Sequence, residues 1–277
     1  MTTVKEAATR LVAQVGGVVV GKRAATEQLL AALLVDGHVL LDDVPGVGKT
    51  TLARAVARSF ALTFRRIQCT PDLVPSDITG VSIFDQRTQT FEYRPGPLLA
   101  NIVLVDEINR ATPRAQSSLL EAMQERQVTV DEATHSLPQP FCVIATQNPI
   151  ELEGTFPLPE AQLDRFLLML QLGYPNAEEE DDILRVHGAG TVSTDDLEPI
   201  FDAAALASLQ EEVRAVRVSD AVRRYVADVV RATRTAEGVE LGASPRAALA
   251  LYLLAQQSEH LRGRILVEIA GGFVGQQ

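Results

Sequence analysis

A glycine-rich loop between an apolar run and a helical pattern restricts the fold of this chain most strongly. Residues 38–41 are a short apolar run, residues 43–50 read Asp-Val-Pro-Gly-Val-Gly-Lys-Thr, and residues 51–57 have a helical pattern. This order of strand, turn, Lys-Thr and helix is typical of a P-loop. Such a loop directs backbone N–H groups at a polyphosphate, and the helix N-terminus adds about half a positive charge. The segment therefore predicts an α/β fold that binds a nucleoside triphosphate.

The residues of this loop have distinct predicted roles. Lys49 is expected to reach the β- and γ-phosphates, and the Thr50 hydroxyl to bind Mg²⁺. Gly46 and Gly48 let the backbone approach the ligand because they have no Cβ. The predicted nucleotide contacts of the loop are Pro45, Gly46, Val47, Gly48, Lys49, Thr50 and Thr51.

One position departs from the P-loop pattern. The first glycine of the pattern G-x-x-x-x-G-K-[ST] would fall at position 43, which is Asp43. A carboxylate beside a phosphate is unfavourable, so we expect the Asp43 side chain to point away from the ligand. The alternative interpretation of the whole segment is a Gly/Pro turn that joins a strand to a helix and binds nothing.

Composition limits the classes of function. The chain has 277 residues, of which 46 % are hydrophobic and 22 % charged, so it is expected to form one large or two smaller soluble domains. Its net charge of −11 argues against nonspecific binding of nucleic acid. No apolar run approaches the length of a transmembrane segment, and the N-terminal residues lack the pattern of a signal peptide, so we expect a cytoplasmic protein.

Two cysteines, Cys69 and Cys142, lie far apart in the sequence between strand-like residues. Buried thiols are expected, in preference to a disulfide or a metal site.

Strand and helix patterns alternate along the first part of the chain, which predicts a parallel sheet. Strands are predicted at residues 102–105 and 141–145, and helices at 25–36, 51–60 and 114–126. Hairpins are predicted at residues 80–93 and 127–137, with turns at 85–89 and 131–134. Helices alone are predicted after residue 175, at residues 177–186, 203–215, 219–234 and 244–259. We therefore expect an α/β domain over residues 1–175 and a helical domain over 176–277.

The predicted strand 102–105 is followed by two acids, Asp106 and Glu107. In a P-loop fold this arrangement is a Walker B strand, in which Asp106 binds Mg²⁺ and Glu107 orients or deprotonates the attacking water. The alternative is an acidic connection between a strand and a helix. The next buried strand ends in polar amides, and Asn148 could position the same water, although Asn148-Pro149 is also an ordinary turn.

Together these motifs make the chain resemble an AAA+ ATPase of the MoxR family. The matching stretches are residues 44–50, 70–80, 94–97, 106–111, 119–123, 145–149, 154–166 and 242–247, in the order expected within residues 17–260. The resemblance implies an α/β P-loop AAA+ core with a parallel sheet and inserted β-hairpins, followed by a small all-α lid domain.

The resemblance also implies roles for residues outside the Walker motifs. Asn148 matches sensor 1, Arg246 matches the sensor 2 arginine of the lid, and Arg165 matches the arginine finger that reaches a neighbouring subunit. Val19 and Gly21 match the segment that lines the adenine pocket. Arg165 could instead pair with a nearby acid, Arg246 could be a solvated residue, and Val19 and Gly21 could be core and turn residues.

The implied activity is ATP hydrolysis with Mg²⁺ by a homo-oligomer, expected to be a hexameric ring that remodels partner proteins. A partner with a von Willebrand factor A domain is implied, and the two hairpins match insertions of this AAA+ group. Two alternatives stay open, the ATPase subunit of a metal chelatase and a non-catalytic, nucleotide-dependent scaffold. Residues 265–277 do not match the family pattern.

Overall fold

A five-stranded parallel sheet lies at the centre of the computed structural model, which describes residues 3–150, 154–188 and 193–257. The strands in spatial order are β2 (Phe64–Gln68), β5 (Ile102–Asp106), β8 (Cys142–Gln147), β1 (Val39–Asp42) and β9 (Leu168–Leu170). All neighbouring pairs are parallel, with β1 between β8 and β9. The three inner strands are almost completely buried, as expected for apolar runs covered on both faces.

The sheet separates two apolar cores because successive side chains of a strand point to opposite faces. Within β1, Val39 and Leu41 belong to one core and Leu40 to the other. The first core contains residues of α1 (Val4–Gly16), α2 (Arg23–Leu34) and α3 (Lys49–Ser59), and the second contains residues of α5 (Pro113–Glu125). Both cysteines are buried free thiols, as predicted, and burial raises the pKa of each to about 12.

Two β-hairpins extend from the α/β core, and both were predicted. The short helix α4 (Pro75–Thr79) leads into the first hairpin, β3 (Gly80–Asp85) and β4 (Thr90–Pro95), and the second consists of β6 (Gln127–Val130) and β7 (Ala133–Ser136). The second turn is shorter than predicted, because β7 already begins at Ala133. The rings of Tyr93 and His135 stack with their centroids 3.8 Å apart and so connect the two hairpins.

The part of the chain after residue 175 is helical where the structure describes it. The short helix α6 (Glu160–Leu163) precedes β9, and the later helices are α7 (Ala177–His187), α8 (Ala203–Ala215), α9 (Asp220–Thr233) and α10 (Pro245–Ala255). Side chains cap the N-terminus of each of these later four helices. The predicted end of the last helix and the unmatched residues 265–277 lie outside the described residues.

Several elements were not predicted from the sequence. These are α1, which begins with a capping box formed by Thr3 and Glu6, the edge strands β2 and β9, and the short helices α4 and α6. Within residues 3–150, 154–188 and 193–257, no helix combines the length and apolarity needed to cross a bilayer.

Candidate active site

A polar cavity of about 310 Å³ opens at the carboxyl ends of the central strands. This edge of a parallel sheet is where open α/β folds bind their ligands. The cavity is lined by Pro45, Gly46, Gly48, Lys49, Thr50, Thr51, Arg66, Gln68, Asp106, Glu107, Thr146 and Asn148. Residues from four separate segments of the chain therefore meet at one opening.

The glycine-rich loop connects β1 to the N-terminus of α3. Gly46 and Gly48 have φ angles of +87° and +95°, a backbone region that favours glycine. Lys49 and Thr50 begin the helix, so its positive end faces the cavity. The Lys49 ammonium donates to the Asp43 carbonyl oxygen at 2.5 Å. Burial lowers the Lys49 pKa, while nearby carboxylates, Asp43 foremost, oppose that shift.

The Asp43 carboxylate points away from the cavity, as expected. Its Oδ1 accepts a hydrogen bond from the backbone N–H of Val44 at 2.8 Å, and its Oδ2 accepts from the N–H groups of Leu172 and Gly173, each at 2.6 Å. The residue is 8 % exposed. Three backbone donors stabilise this buried anion, so the missing glycine does not place a negative charge on the ligand side of the loop.

Asp106, the last residue of β5, and Glu107, which follows it, both bond to Thr146 near the end of the neighbouring strand β8. The Thr146 hydroxyl donates to Asp106 Oδ1 at 3.2 Å and accepts from the backbone N–H of Glu107 at 2.9 Å. Asp106 is 7 % exposed, and its Oδ2 accepts from Arg66 Nε at 2.6 Å. The Asp106 carboxylate is therefore oriented by one hydroxyl and one guanidinium.

Glu107 has an unusual backbone conformation. Its φ and ψ angles are +57° and +50°, the left-handed region, which costs a residue other than glycine about 1–3 kcal/mol. The Glu107 carboxylate accepts from Gln68 Nε2 at 2.9 Å and from Arg110 Nη1 at 3.1 Å. Residues kept in this conformation concentrate at functional sites, where the surrounding structure imposes it.

The oxygen atoms of the cavity fit a magnesium ion that arrives with a nucleotide. Thr50 and Asp106 both line the cavity and offer the hard oxygen donors that Mg²⁺ prefers. In the part of the chain that the structure describes, no group of three or more His, Cys, Asp or Glu side chains is arranged to hold a metal. Mg²⁺ is usually bound through one or two carboxylates together with substrate phosphates, which agrees with this donor set.

Asn148 lies in the cavity wall and is buried. Its Oδ1 accepts from the backbone N–H of Ile150 at 3.2 Å, which is the turn that the sequence also allowed. The oxygen faces this turn, and the amide NH2 group, which has two N–H donors, is left to donate into the cavity.

Arg165 and Arg246 do not line this cavity. Both line a second, larger cleft of about 1000 Å³ between the α/β core and the helical part, together with Asp164. Arg165 Nη1 donates to the Leu120 carbonyl at 2.8 Å, and its buried Nε has no hydrogen-bond partner among the residues that the structure describes. Arg246 Nη1 lies 4.0 Å from Asp164 Oδ2, and Asp164 Oδ1 accepts from the Ser244 hydroxyl at 2.5 Å. The two arginines therefore line one cleft and lie outside the residues that line their own chain's phosphate cavity.

Val19 and Gly21 also lie outside the residues that line the phosphate cavity. Val19 is buried in the first core. Gly21 has a φ angle of +74°, and the Glu179 side chain occupies the space that a Cβ on residue 21 would need. Their part in binding adenine remains a prediction.

Sequence reasoning missed three cavity residues, Arg66, Gln68 and Thr146. The first two lie on β2, whose polar sequence did not suggest a strand. The parallel register pairs Gln68 with Asp106, so recognition of β2 would have placed both side chains beside the acids. Thr146 lay within a predicted polar strand end, but only its spatial neighbours reveal what its hydroxyl does.

Comparison with known proteins agrees with this geometry. Residues 38–168 match the ATPase family associated with various cellular activities (AAA). The chain is 45 % identical over 264 residues to a protein named Chaperone MoxR1 from Mycobacterium tuberculosis, an alignment that covers 92 % of this chain and 69 % of that protein. This chain belongs to the MoxR family of AAA+ ATPases.

Other relatives of this MoxR-family chain extend over most of its length. It is 53 % identical to YeaC of Bacillus subtilis, described as uncharacterized, over 89 % of this chain and 77 % of that protein. A crystal structure of a proposed ATPase from Cytophaga hutchinsonii has 37 % sequence identity and a TM-score of 0.88, and covers 97 % of this chain and 86 % of that one. The chain is thus a chaperone-like AAA+ ATPase whose α/β core is followed by a helical lid, the part that contains α7 to α10.

Proposed function

We propose that this MoxR-family protein hydrolyses ATP in the polar cavity and uses the cycle to remodel partner proteins. The observation that carries the proposal is the meeting of Lys49, Thr50, Asp106 and Glu107 at one opening of the sheet. A phosphate-binding loop alone would support binding. The adjacent acids, one of them held in a left-handed conformation, support hydrolysis.

Each cavity residue has a distinct part in the proposed reaction. The loop N–H groups and Lys49 bind the phosphates, and Asn148 donates to the γ-phosphate or to the attacking water. Thr50 and Asp106 would hold Mg²⁺, which would neutralise charge that develops on the phosphate oxygens. Glu107 accepts the proton of the attacking water, and the hydrogen bonds from Gln68 and Arg110 hold its carboxylate in place.

We further propose that Arg165 acts on the nucleotide of a neighbouring subunit, and that Arg246, the sensor 2 arginine of the lid, reports the presence of the γ-phosphate to the helical part. Both arginines lie on a cleft separate from their own chain's phosphate cavity. An arginine finger accelerates related hydrolases about 10³–10⁵-fold, which corresponds to roughly 4–7 kcal/mol of barrier. Head-to-tail contacts of this kind form a ring when they close, and a hexameric ring is the proposed assembly.

The proposed work of the ring is the remodelling of other proteins, which agrees with the name of the relative MoxR1 as a chaperone. The hairpins β3–β4 and β6–β7, which extend from the core, offer surfaces for a partner. A partner with a von Willebrand factor A domain is part of the proposal.

The test is phosphate release and Mg·ATP binding by the parent protein and three variants. Glu107→Gln should bind Mg·ATP and lose turnover, whereas Lys49→Ala should lose binding. Glu125→Gln, which changes an exposed acid at the end of α5, is the matched control and should behave as the parent. Binding without phosphate release at any protein concentration would favour the scaffold, and a folded parent that binds no Mg·ATP would overturn the proposal.

A further inference from the structure

Two charged side chains form hydrogen bonds with a single residue of the connection between the sheet and the lid. Gly173 lies between β9 and α7 and has a φ angle of +64°. Its N–H and that of Leu172 both donate to Asp43 Oδ2, and its carbonyl oxygen accepts from Lys22 Nζ at 3.1 Å. Lys22 and Asp43 are both buried. The position of this connection, through which the chain passes from the sheet into the lid, is therefore fixed by two charged side chains of the core.

Asp43 also contacts the lysine that is expected to bind phosphate. The Lys49 ammonium donates to the Asp43 carbonyl oxygen at 2.5 Å. An ammonium has three N–H donors, so Lys49 can contact phosphate oxygens and the Asp43 carbonyl at once. One buried residue thus contacts the phosphate-binding group through its backbone and the lid connection through its side chain.

Phosphate binding does not explain the carboxylate. The general P-loop pattern has glycine at this position, so a loop without the side chain is able to bind phosphate. A buried carboxylate is costly unless donors compensate it, and two of the three donors of Asp43 belong to the lid connection. The Asp43 carboxylate is therefore explained better by its hydrogen bonds to the lid connection than by a role in the phosphate-binding loop.

We propose that Asp43 is a positioning residue that couples phosphate binding at Lys49 to the orientation of the lid. This inference rests on the proposed function, because it requires a triphosphate at Lys49. A displacement of the Lys49–Asp43 contact is transmitted by the Asp43 carboxylate to residues 172 and 173, the segment that joins β9 to α7. Coupling of this kind is reciprocal, so the orientation of the lid also changes nucleotide affinity.

The experiment measures lid orientation by energy transfer between two dyes. Ser117→Cys on α5 and Ala221→Cys on α9 provide exposed labelling sites, and the native thiols of Cys69 and Cys142 are buried. Transfer is recorded with and without Mg²⁺ and a non-hydrolysable ATP analogue, and the affinity for the same analogue is measured separately. If the labelled parent binds no analogue, the proposed function fails before any Asp43 variant is made.

Asp43→Gly is the decisive variant, because it restores the glycine of the P-loop pattern and removes only the side chain. It should bind the analogue with a Kd within about fivefold of the parent's, because fivefold is the lower limit of typical coupling between two sites. The change in energy transfer that the analogue causes in the parent should be lost. Asp43→Asn retains one acceptor oxygen and should keep part of the change. The inference would be overturned if energy transfer changed as much in Asp43→Gly as in the parent. It would also be overturned if the parent bound the analogue and its energy transfer stayed the same.

Two further variants separate effects on the connection from general effects on the loop. Asp42→Asn changes the neighbouring acid, which accepts from Gln147 at 3.0 Å and, in the described part of the chain, makes no hydrogen bond to the connection. This variant should behave as the parent. Lys22→Met removes the second contact to Gly173 and leaves the loop unchanged, so it should reduce the change in transfer and alter the Kd by no more than about fivefold. If Asp43→Gly does not fold, the other two variants decide. The inference is overturned if energy transfer changes as much in both Lys22→Met and Asp43→Asn as in the parent.

Discussion

The hydroxyl of Thr146 shows how much one small side chain determines in this site. It donates to Asp106 and accepts from the backbone of Glu107, the residue with the left-handed conformation. Only a group that both donates and accepts can bond the Asp106 carboxylate and the Glu107 backbone N–H at once. Thr146 is therefore expected to fix the relative position of the proposed metal ligand and the proposed base.

Replacement of Thr146 by valine preserves the shape of the side chain and removes the hydroxyl. The partly buried Glu107 N–H would lose its partner, which costs at most the roughly 1–3 kcal/mol of a fully buried donor. We expect a lower unfolding free energy and a kcat reduced about tenfold or more, since 1.36 kcal/mol of barrier corresponds to a factor of ten, with a smaller change in KM. Denaturant unfolding and steady-state phosphate release measure the two effects. Thr146→Ser should restore most of the kcat, and an equal loss of kcat in both variants would contradict the role of the hydroxyl.

A second residue, His38, makes stability depend on pH. Its Nδ1 accepts from the Val143 N–H at 3.0 Å, so its Nε2 carries the proton and donates to the Met123 carbonyl at 3.1 Å. Burial lowers the His38 pKa from 6.5 to about 3. The unfolded state therefore binds more protons between these values, and this contribution to stability is present above pH 6.5 and lost as the pH falls towards 3.

We predict that His38→Gln weakens this pH dependence. The slope from a single group approaches about 1.4 kcal/mol per pH unit. Urea unfolding of the parent and the variant at several pH values between 4 and 7 gives the comparison, because the carboxylates contribute to both proteins alike. Parallel curves for the two proteins would show that the histidine is not the cause.

At the scale of elements, the success of prediction followed the strength of the local pattern. The loop before α3, both hairpins and the four later helices carry turn residues, caps or periodicity that are visible in the sequence. The polar strand β2 and the three-residue strand β9 do not, because pairing with a neighbouring strand is what makes them strands. The same reason explains which site residues could be predicted. Lys49 and Asp106 belong to local motifs, whereas Arg66 reaches Asp106 only because β2 pairs with β5.

The two hairpins are predicted to be mechanically linked by the stacked rings of Tyr93 and His135. Aromatic pairs contribute about 0.5–1.5 kcal/mol beyond the area they bury. A double-mutant cycle with Tyr93→Leu and His135→Leu should give a coupling energy in that range from denaturant unfolding. Additive effects of the two substitutions would mean that the stacked rings do not couple the hairpins. Tyr93→Phe, which removes only the hydroxyl bond to the Thr79 carbonyl, is the control and should keep the stack.

At the scale of the whole molecule, the charged groups proposed for catalysis are divided between two openings. The loop and the acids line the small cavity, whereas Arg165 and Arg246 line the cleft between core and lid. In this arrangement neither Arg165 nor Arg246 lines its own chain's phosphate cavity, and the arginine that does line it, Arg66, is paired with Asp106. Assembly would complete the site. The dependence of turnover on protein concentration therefore tests whether assembly is needed for hydrolysis.

The last prediction concerns mixed assemblies of two inactive variants. Arg165→Ala subunits retain Glu107, and Glu107→Gln subunits retain Arg165, so each variant alone should hydrolyse ATP poorly. When the two are mixed in equal amounts, about a quarter of the head-to-tail interfaces pair an intact Glu107 with an intact Arg165 of the neighbour. Phosphate release should then rise above that of either variant alone.

The matched control replaces the second partner with a subunit that carries both substitutions. Mixtures of this double variant with Arg165→Ala contain no intact Arg165 and should show no gain. The substitution also removes the bond to the Leu120 carbonyl, worth about 0.5–1.5 kcal/mol, so the thermal stability of Arg165→Ala is measured first. If mixed assemblies form and the first mixture gains nothing over its control, Arg165 does not act across a subunit interface.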